Sequence, residues 1–416
     1  MAGRPHTRIV QVFLGFLLLW GTRFLSYADW NYDVMGRLSY GVYGLLVVWT
    51  ACMARRMPAG KPLAWLAVAL LLGMLPCAVC KPFVSGESPL SERAALVEAP
   101  AFLVFFLFYA YRMRPRQIMD VFTVLGLFIL AVQVVQVLFP DSAVFGTYTD
   151  ADYTKNVTGL AEVRNGLYRF RLESYMITLL CLFYYWNRLL VRPDGKTILL
   201  FAAFAISVYL YLTRQLMGVA FAAIMVSGFF TRNRRARLVS YVLAAAFLFL
   251  LLRYFDVLFS DMAADTQKDM SENNIRLSAL AFYWLRIVES PLSLLFGNGH
   301  VAELDVWQES FRFYPSDIGI VGEWYFYGAC WVLLYLLTLV LLGRYRRYIP
   351  LYIKLFVLAT GLSAVMIFPY RGGYEFVVWA TMLYIVSYSI RRKAPRPVRR
   401  RVPGPLPQEG ETLQSA

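Results

Sequence analysis

The sequence is poor in the residues from which most soluble active sites are built. Its 416 residues include two histidines and five cysteines, and charged residues make up 16% of the chain. Soluble domains carry about a quarter charged residues, so this composition excludes an ordinary soluble protein. Cys77 and Cys80 form a CxxC pair, but neither a second pair nor a neighbouring histidine accompanies it. We therefore expect structural thiols and no zinc or redox centre.

The short motifs of nucleotide and metalloenzyme chemistry are missing as well. The chain contains no P-loop, no GxGxxG fingerprint and no HExxH pair. These absences predict that the protein needs no nucleotide, no cofactor and no metal. Any chemistry would then depend on ordinary polar and charged side chains.

Apolar residues are abundant and make up 59% of the chain. Apolar runs of about 20 residues recur along its length, and each could cross a hydrocarbon core of ~30 Å. The alternating segments of roughly 10 residues that build membrane β-barrels are absent. The pattern predicts an all-α polytopic membrane protein with about twelve transmembrane helices.

The predicted organisation is a membrane domain over 1–390 and a disordered basic cytoplasmic tail over 391–416. The net charge is +15, and most basic residues lie in short linkers that alternate with acidic ones along the chain. By the positive-inside rule, both termini are cytoplasmic and the number of spans is even. Two large loops, at about 140–171 and 256–316, then face outward, and the second contains helices between spans 9 and 10. The tail would contact anionic lipid and no nucleic acid.

The apolar stretch 197–230 is broken only at Thr213-Arg214-Gln215, which contains its one cation. A single straight helix of this length would extend ~51 Å, far beyond the bilayer. The stretch therefore predicts two short spans with a tight outward turn at Arg214. That guanidinium either reaches lipid headgroups or faces a cavity and binds an anionic substrate, for which phosphate is well suited.

Further charged residues on the predicted outward side could bind the same anion. They flank spans or lead helices in the outward loops: Arg169, Arg171, Glu173, Arg276, Arg286, Glu323 and Arg371. Singly, each is more typical of a surface ion pair. As a set converging on one cavity, the arginines would bind pyrophosphate, and a buried carboxylate such as Glu323 would need an arginine partner.

Two residues are candidates for a general base. His300 follows Gly297-Asn298-Gly299, a flexible turn that would let the imidazole approach a substrate, although a solvated loop histidine is the plainer reading. Asp317 lies at the outer end of the tenth predicted span. With Arg214, these two residues form the candidate catalytic set.

The Arg214 turn, the large late loop, and Arg276 leading a helix towards Pro291 and Gly299 resemble the O-antigen ligase and polymerase superfamily. Ser316-Asp317-Ile318-Gly319, followed by an aromatic, glycine-containing span, is similar to its polymerase side. The resemblance covers most of the chain in topology and about 205–330 in motif. Ligases of this superfamily often have a histidine where this chain has Ser316-Asp317.

The resemblance implies a lipid-linked polysaccharide repeat-unit polymerase in the bacterial inner membrane. Such an enzyme joins undecaprenyl-pyrophosphate-linked oligosaccharides into an O-antigen or exopolysaccharide at the periplasmic face, without metal. Arg214 and Arg276 would hold the pyrophosphate and stabilise the leaving-group charge, while a histidine or carboxylate would deprotonate the acceptor sugar. A chain-length regulator and a flippase are the implied protein partners.

Three alternatives stay open. The first is a ligase that transfers the glycan to lipid A core. The second is a polysaccharide flippase or transporter, which should show internal repeats and short loops on both sides. The third is an outward-facing acyltransferase, which would be expected to carry a histidine on a span.

Overall fold

The computed structural model describes residues 5–22, 24, 29–56, 62–139, 162–164, 167–169, 172, 174–231, 234–253, 275–301, 303–311 and 313–393. The described chain is predominantly helical and contains one short antiparallel hairpin. The helices are numbered in chain order: α1 (Pro5–Gly21), α2 (Asp29–Cys52), α3 (Pro62–Leu72), α4 (Leu75–Val84), α5 (Arg93–Glu98), α6 (Val104–Ala110), α7 (Pro115–Leu138), α8 (Tyr175–Val191), α9 (Gly195–Leu210), α10 (Arg214–Met225), α11 (Ser227–Phe230), α12 (Arg234–Arg253), α13 (Ile275–Val288), α14 (Pro291–Phe296), α15 (Glu303–Phe311), α16 (Gly319–Arg344), α17 (Leu351–Ser363) and α18 (Gly373–Lys393).

Within the described part of the chain, three helical segments are long and apolar enough to cross a membrane: Pro62–Val84, Pro115–Leu138 and Pro315–Arg344. Six shorter apolar helices of 10–17 residues accompany them. These segments support a membrane protein of the all-α class. Several predicted spans are shorter or divided in the structure, so the count of about twelve stays a prediction. The span predicted near 94–111, for example, consists of α5, the 3-10 turn Ala99–Leu103 and α6.

Helix α18 is the centre of the bundle. Every residue from Gly373 to Ser387 is buried, and the helix contacts α1, α3 and α6. A helix that is apolar on all sides is buried by neighbours on all sides, as this one is. Between α7 and α9, the Ser207 hydroxyl donates to Gln133 Oε1 at 2.5 Å, so this buried glutamine joins the two helices.

The predicted division of 197–230 is confirmed. Helix α9 ends at Leu210, α10 begins at Arg214, and Leu212 between them has a positive φ of 47°. The turn is anchored from both sides, because the Tyr211 hydroxyl lies 2.6 Å from Ser174 Oγ and Gln215 Nε2 donates to Ser363 O at 2.9 Å. The start of α10 is thereby held against the end of α17.

Helix α16 is kinked at Gly328, where φ is 75° and ψ is −179°. The chain opposite is also broken, between α3 and α4. Beside these breaks, an apolar groove of about 680 Å³ runs between Ala69–Pro76 and Cys330–Val340. The two irregularities therefore shape one surface of the bundle.

The outward loops predicted from the sequence are described in part. Strands β1 (Glu162–Arg164) and β2 (Leu167–Arg169) pair antiparallel, with Val163 opposite Tyr168. Helices α13, α14 and α15 lie between α12 and α16, so the expectation of helices in the late loop is confirmed. Residues 140–161 lie outside the described residues, and so does the predicted tail from 394 onward.

Candidate functional site

The loop that carries His300 is fixed to the kink of α16. The backbone N–H of Asn298 donates to Tyr325 O at 2.7 Å, and that of Gly299 donates to Phe326 O at 3.0 Å. The contact is possible because Gly297 and Gly328 have no side chains, and a Cβ on Gly328 would lie 2.3 Å from Leu295 O. The turn predicted to be flexible is thus held by backbone contacts.

A buried lysine binds this loop from the other side. Lys81, at the end of α4, is fully buried, and its Nζ donates to His300 O at 2.6 Å, to Glu92 Oε1 at 2.8 Å and to the Ser91 hydroxyl. Glu87 forms a further ion pair with it at 3.2 Å. We call Lys81, Glu87, Ser91, Glu92 and His300 the His300 cluster.

Glu92 connects both ends of this cluster. Its Oε1 accepts the backbone N–H of His300 at 2.6 Å, and its Oε2 lies 2.9 Å from His300 Nδ1. Burial of Glu92 alone would raise the pKa of its carboxyl group. The hydrogen bonds and charge of His300, together with Lys81, outweigh burial and lower the pKa of Glu92 from 4.5 to about 2. Glu92 is therefore a carboxylate at neutral pH.

The imidazole of His300 is held on one edge and open on the other. Its ring stacks on Phe326 with the ring centroids 4.4 Å apart, and its side chain remains 47% exposed. Because Nδ1 faces Glu92, Nε2 is the ring nitrogen left for a substrate. This is the arrangement of a general base supported by a carboxylate.

A second polar group surrounds Arg371. Its Nε lies 3.8 Å from Oε1 of the buried Glu323, and its backbone N–H donates to Glu375 Oε2 at 2.6 Å. Glu375 also accepts the Tyr175 hydroxyl at 3.2 Å, and Glu98 accepts the N–H of Gly373 at 2.7 Å. We call Arg371, Glu98, Glu323, Glu375 and Tyr175 the Arg371 cluster. The predicted arginine partner for Glu323 is present.

The two clusters are neighbours. Glu92 immediately precedes α5 and Glu98 ends it, which places their backbones ~9 Å apart. In α16, Glu323 contacts Arg371, and Phe326, one turn later, supports His300. The two clusters could therefore act on one bound molecule.

The other predicted site residues lie at different distances from the clusters. Ser316 O accepts from Arg371 at 3.5 Å, and the adjacent Asp317 is exposed, so Asp317 stands beside the Arg371 cluster. The backbone of Arg214 begins α10, next to the end of α17; its side chain lies outside the described set. Ile320 N also donates to Ala364 O at 2.9 Å, which brings the starts of α10 and α16 to the same helix end.

Five predicted residues contribute less to this picture. Arg286 is exposed, pairs with Glu289 at 3.3 Å and lies over the rings of Phe282 and Trp307. Arg276 is the second residue of α13, which packs on α16. Arg169 is placed only as a backbone position in β2, and Arg171 and Glu173 lie outside the described residues.

Lys81 and Glu92 were missed as site residues by the sequence reasoning. A lysine followed by Pro82 at the end of an apolar run is an available signal, because a charge there needs a partner. Its partners lie 6 to 219 positions away in sequence, and no local pattern reveals the contact with His300. No group of three metal-ligating side chains occurs within the described ranges. The chain matches no protein-family model and no curated protein.

Proposed function

We propose that the protein is a metal-independent glycosyltransferase that polymerises lipid-pyrophosphate-linked oligosaccharide repeat units into a surface polysaccharide. The observation that carries this proposal is the Glu92–His300 pair, one turn of α16 away from the contact between Glu323 and Arg371. A base and a cation at this spacing suit a reaction in which a hydroxyl attacks and a pyrophosphate leaves.

In the proposed reaction, a sugar hydroxyl at the non-reducing end of one unit attacks the anomeric carbon of another. Its proton passes to His300 Nε2 as the new C–O bond forms. The bond from the anomeric carbon to the pyrophosphate breaks, and the pyrophosphate departs with the electron pair. Direct displacement inverts the anomeric centre, and the imidazolium later returns its proton to solvent.

The arginines would stabilise the departing charge. Glu323 pairs with the guanidinium of Arg371, and Glu375 accepts the Arg371 backbone N–H. Arg214 begins α10 beside the end of α17, where α16 also begins. Guanidinium groups bind phosphate oxygens in pairs of parallel hydrogen bonds, and fixed donors aimed at developing charge lower the barrier. Arg169, Arg171 and Arg276 are proposed as further pyrophosphate contacts, and Asp317 as the alternative base.

The apolar groove favours a lipid-linked substrate. It extends along α16 from Cys330 to Val340, ~15 Å of helix, and begins two residues after the Gly328 kink. Cys77, one residue after the groove wall at Pro76, donates its thiol to Phe326 O at 3.0 Å, and Phe326 supports His300. A polyprenyl chain in the groove would end close to the His300 cluster.

The proposed setting is the bacterial inner membrane, with both clusters at the periplasmic face and both termini cytoplasmic. The alternation of basic and acidic linkers supports this orientation and requires an even number of spans, and the apolar runs suggest about twelve. Undecaprenyl pyrophosphate is the proposed lipid carrier, and a flippase and a chain-length regulator are the proposed partners.

Deletion of the gene in its native host, followed by sizing of lipid-linked glycans, tests the function. Loss of a polymerase leaves single lipid-linked units at the periplasmic face. Loss of a ligase would instead leave long lipid-linked chains, and loss of a flippase would leave single units at the cytoplasmic face. Either of these two results would overturn the polymerase assignment.

A further inference from the structure

We propose that Glu92, supported by Lys81, is a positioning residue that fixes His300 in one tautomer, with Nδ1 protonated and Nε2 open to the acceptor. The consequence for catalysis rests on the proposed function. The tautomer itself follows from the contacts of the cluster.

The first step of the argument concerns the hydrogen-bonding capacity of the carboxylate. An ionised carboxylate only accepts, and both Glu92 oxygens face His300, Oε1 at the backbone N–H and Oε2 at Nδ1. Nδ1 must therefore carry the hydrogen in this contact. A neutral imidazole has one donor nitrogen and one acceptor nitrogen, so Nε2 is left with its lone pair.

The second step explains why Glu92 stays ionised although it is buried. Lys81 places its ammonium 2.8 Å from Oε1, and its other hydrogen bonds go to Ser91 and to His300 O. A buried carboxylate without such a partner would be costly and would tend to take up a proton. Lys81 therefore secures both the charge of Glu92 and the backbone of the histidine loop.

The surroundings of the ring leave few competing partners for Nδ1. Phe326 covers one ring face, and Tyr327 meets the ring edge-on at 6.4 Å. Cys77 on α4 donates its thiol to Phe326 O, and Glu87, within the cluster, pairs with Lys81 at 3.2 Å. Among the described residues, Glu92 is thus the group that determines which nitrogen is protonated.

In the reaction, this arrangement prepares the proton transfer. The acceptor hydroxyl meets an Nε2 lone pair, and the imidazolium formed is stabilised by the adjacent carboxylate. Glu92→Gln removes the carboxylate that keeps the hydrogen on Nδ1. An amide has one accepting oxygen, so once that oxygen takes the His300 N–H, its NH₂ group faces Nδ1 and favours the opposite tautomer, in which Nε2 is protonated.

The direct test is ¹⁵N NMR of the full chain with labelled histidine. The chain has two histidines, so His6→Gln, at an exposed position of α1, leaves His300 as the single labelled imidazole. At a pH where the ring is neutral, we expect the protonated nitrogen to be Nδ1, with the pattern exchanged in Glu92→Gln and a mixture of both in Lys81→Met. Protonation at Nε2, or a mixture of both forms, in the otherwise natural chain would overturn the proposal whatever the activity.

Kinetics supply the second readout, with Asp120→Asn as the matched control because Asp120 is an exposed carboxylate of α7 that belongs to neither cluster. We expect kcat of Glu92→Gln to fall by ~10²–10⁴-fold with KM for the lipid-linked unit changed less than about 3-fold, and Asp120→Asn to stay near the natural chain. If the natural chain polymerises the unit and Glu92→Gln has the same kcat, the positioning role is refuted. Failure of the natural chain to polymerise any unit would instead refute the proposed function and leave the NMR result standing.

Discussion

The Gly297–Gly299 turn packs against the kink of α16 at Gly328, and this contact leads to a stability prediction for Gly328→Ala. Gly328 has φ 75° and ψ −179°, a region that residues with a Cβ occupy at a cost of roughly 1–3 kcal/mol. The new methyl group would also lie 2.3 Å from Leu295 O and 2.5 Å from Gly297 N, both backbone atoms. Forced displacement of a packed segment costs about 1–3 kcal/mol more, so the total is about 2–6 kcal/mol.

The assay compares unfolding midpoints of purified variants in one detergent. Gly218→Ala is the matched control, because Gly218 lies exposed within α10 and a Cβ there meets no atom within 4 Å. That change should be neutral or stabilise by up to about 1 kcal/mol through helix propensity. Since the His300 loop is bonded beside the kink, Gly328→Ala should also lose activity. Equal midpoints for the two variants would refute the proposed packing of the loop on α16.

Three further predictions concern the groove and the buried pair. Leu337→Trp fills the groove and should raise KM for the lipid-linked unit several-fold with kcat little changed. Leu362→Trp, at an exposed position of α17, should leave both constants unchanged. Equal KM values for the two variants would argue against lipid binding in the groove. Lys81→Met should destabilise the fold by about 3–5 kcal/mol, and adding Glu92→Leu should recover part of it in denaturation midpoints. The folded-state pKa of Glu92, about 2, lies below its ordinary 4.5, so its stabilisation is complete above pH 4.5 and is lost as pH falls towards 2. Between pH 6 and pH 3 the natural chain should therefore lose about 2 kcal/mol more stability than Glu92→Gln; parallel curves would contradict this.

Much of the helical architecture could be predicted because it depends on local pattern. The helix expected to follow Arg276 is α13, Ile275–Val288, and Pro291 begins the next one. The tight turn before Arg214 followed from a length argument, since one straight helix would be too long for a bilayer. Divided helices such as α5–α6 were less accessible, because their breaks depend on packing and not on hydropathy.

The candidate site was predictable only in part. His300, Glu323 and Arg371 could be selected as unusual polar residues near predicted membrane boundaries. The sequence contained no sign that His300 would meet Glu92, because that contact joins positions 208 residues apart. The fixed geometry of the Gly297–Gly299 turn was also hidden, since it depends on a kink in a different helix. Arg286 was selected by residue type alone, and its observed partner is Glu289 in the next turn.

The most direct test of the central claim is polymerisation by the purified protein in vesicles. The only sugar source would be a lipid-pyrophosphate-linked oligosaccharide unit from the native host, with a chelator present and no nucleotide added. We predict a ladder of lengthened lipid-linked glycans on gels, which His300→Ala abolishes although it folds normally. A ladder of equal intensity from His300→Ala would contradict the assigned base, and no lengthening by the natural protein, or transfer only after lipid A core is supplied, would contradict the polymerase function.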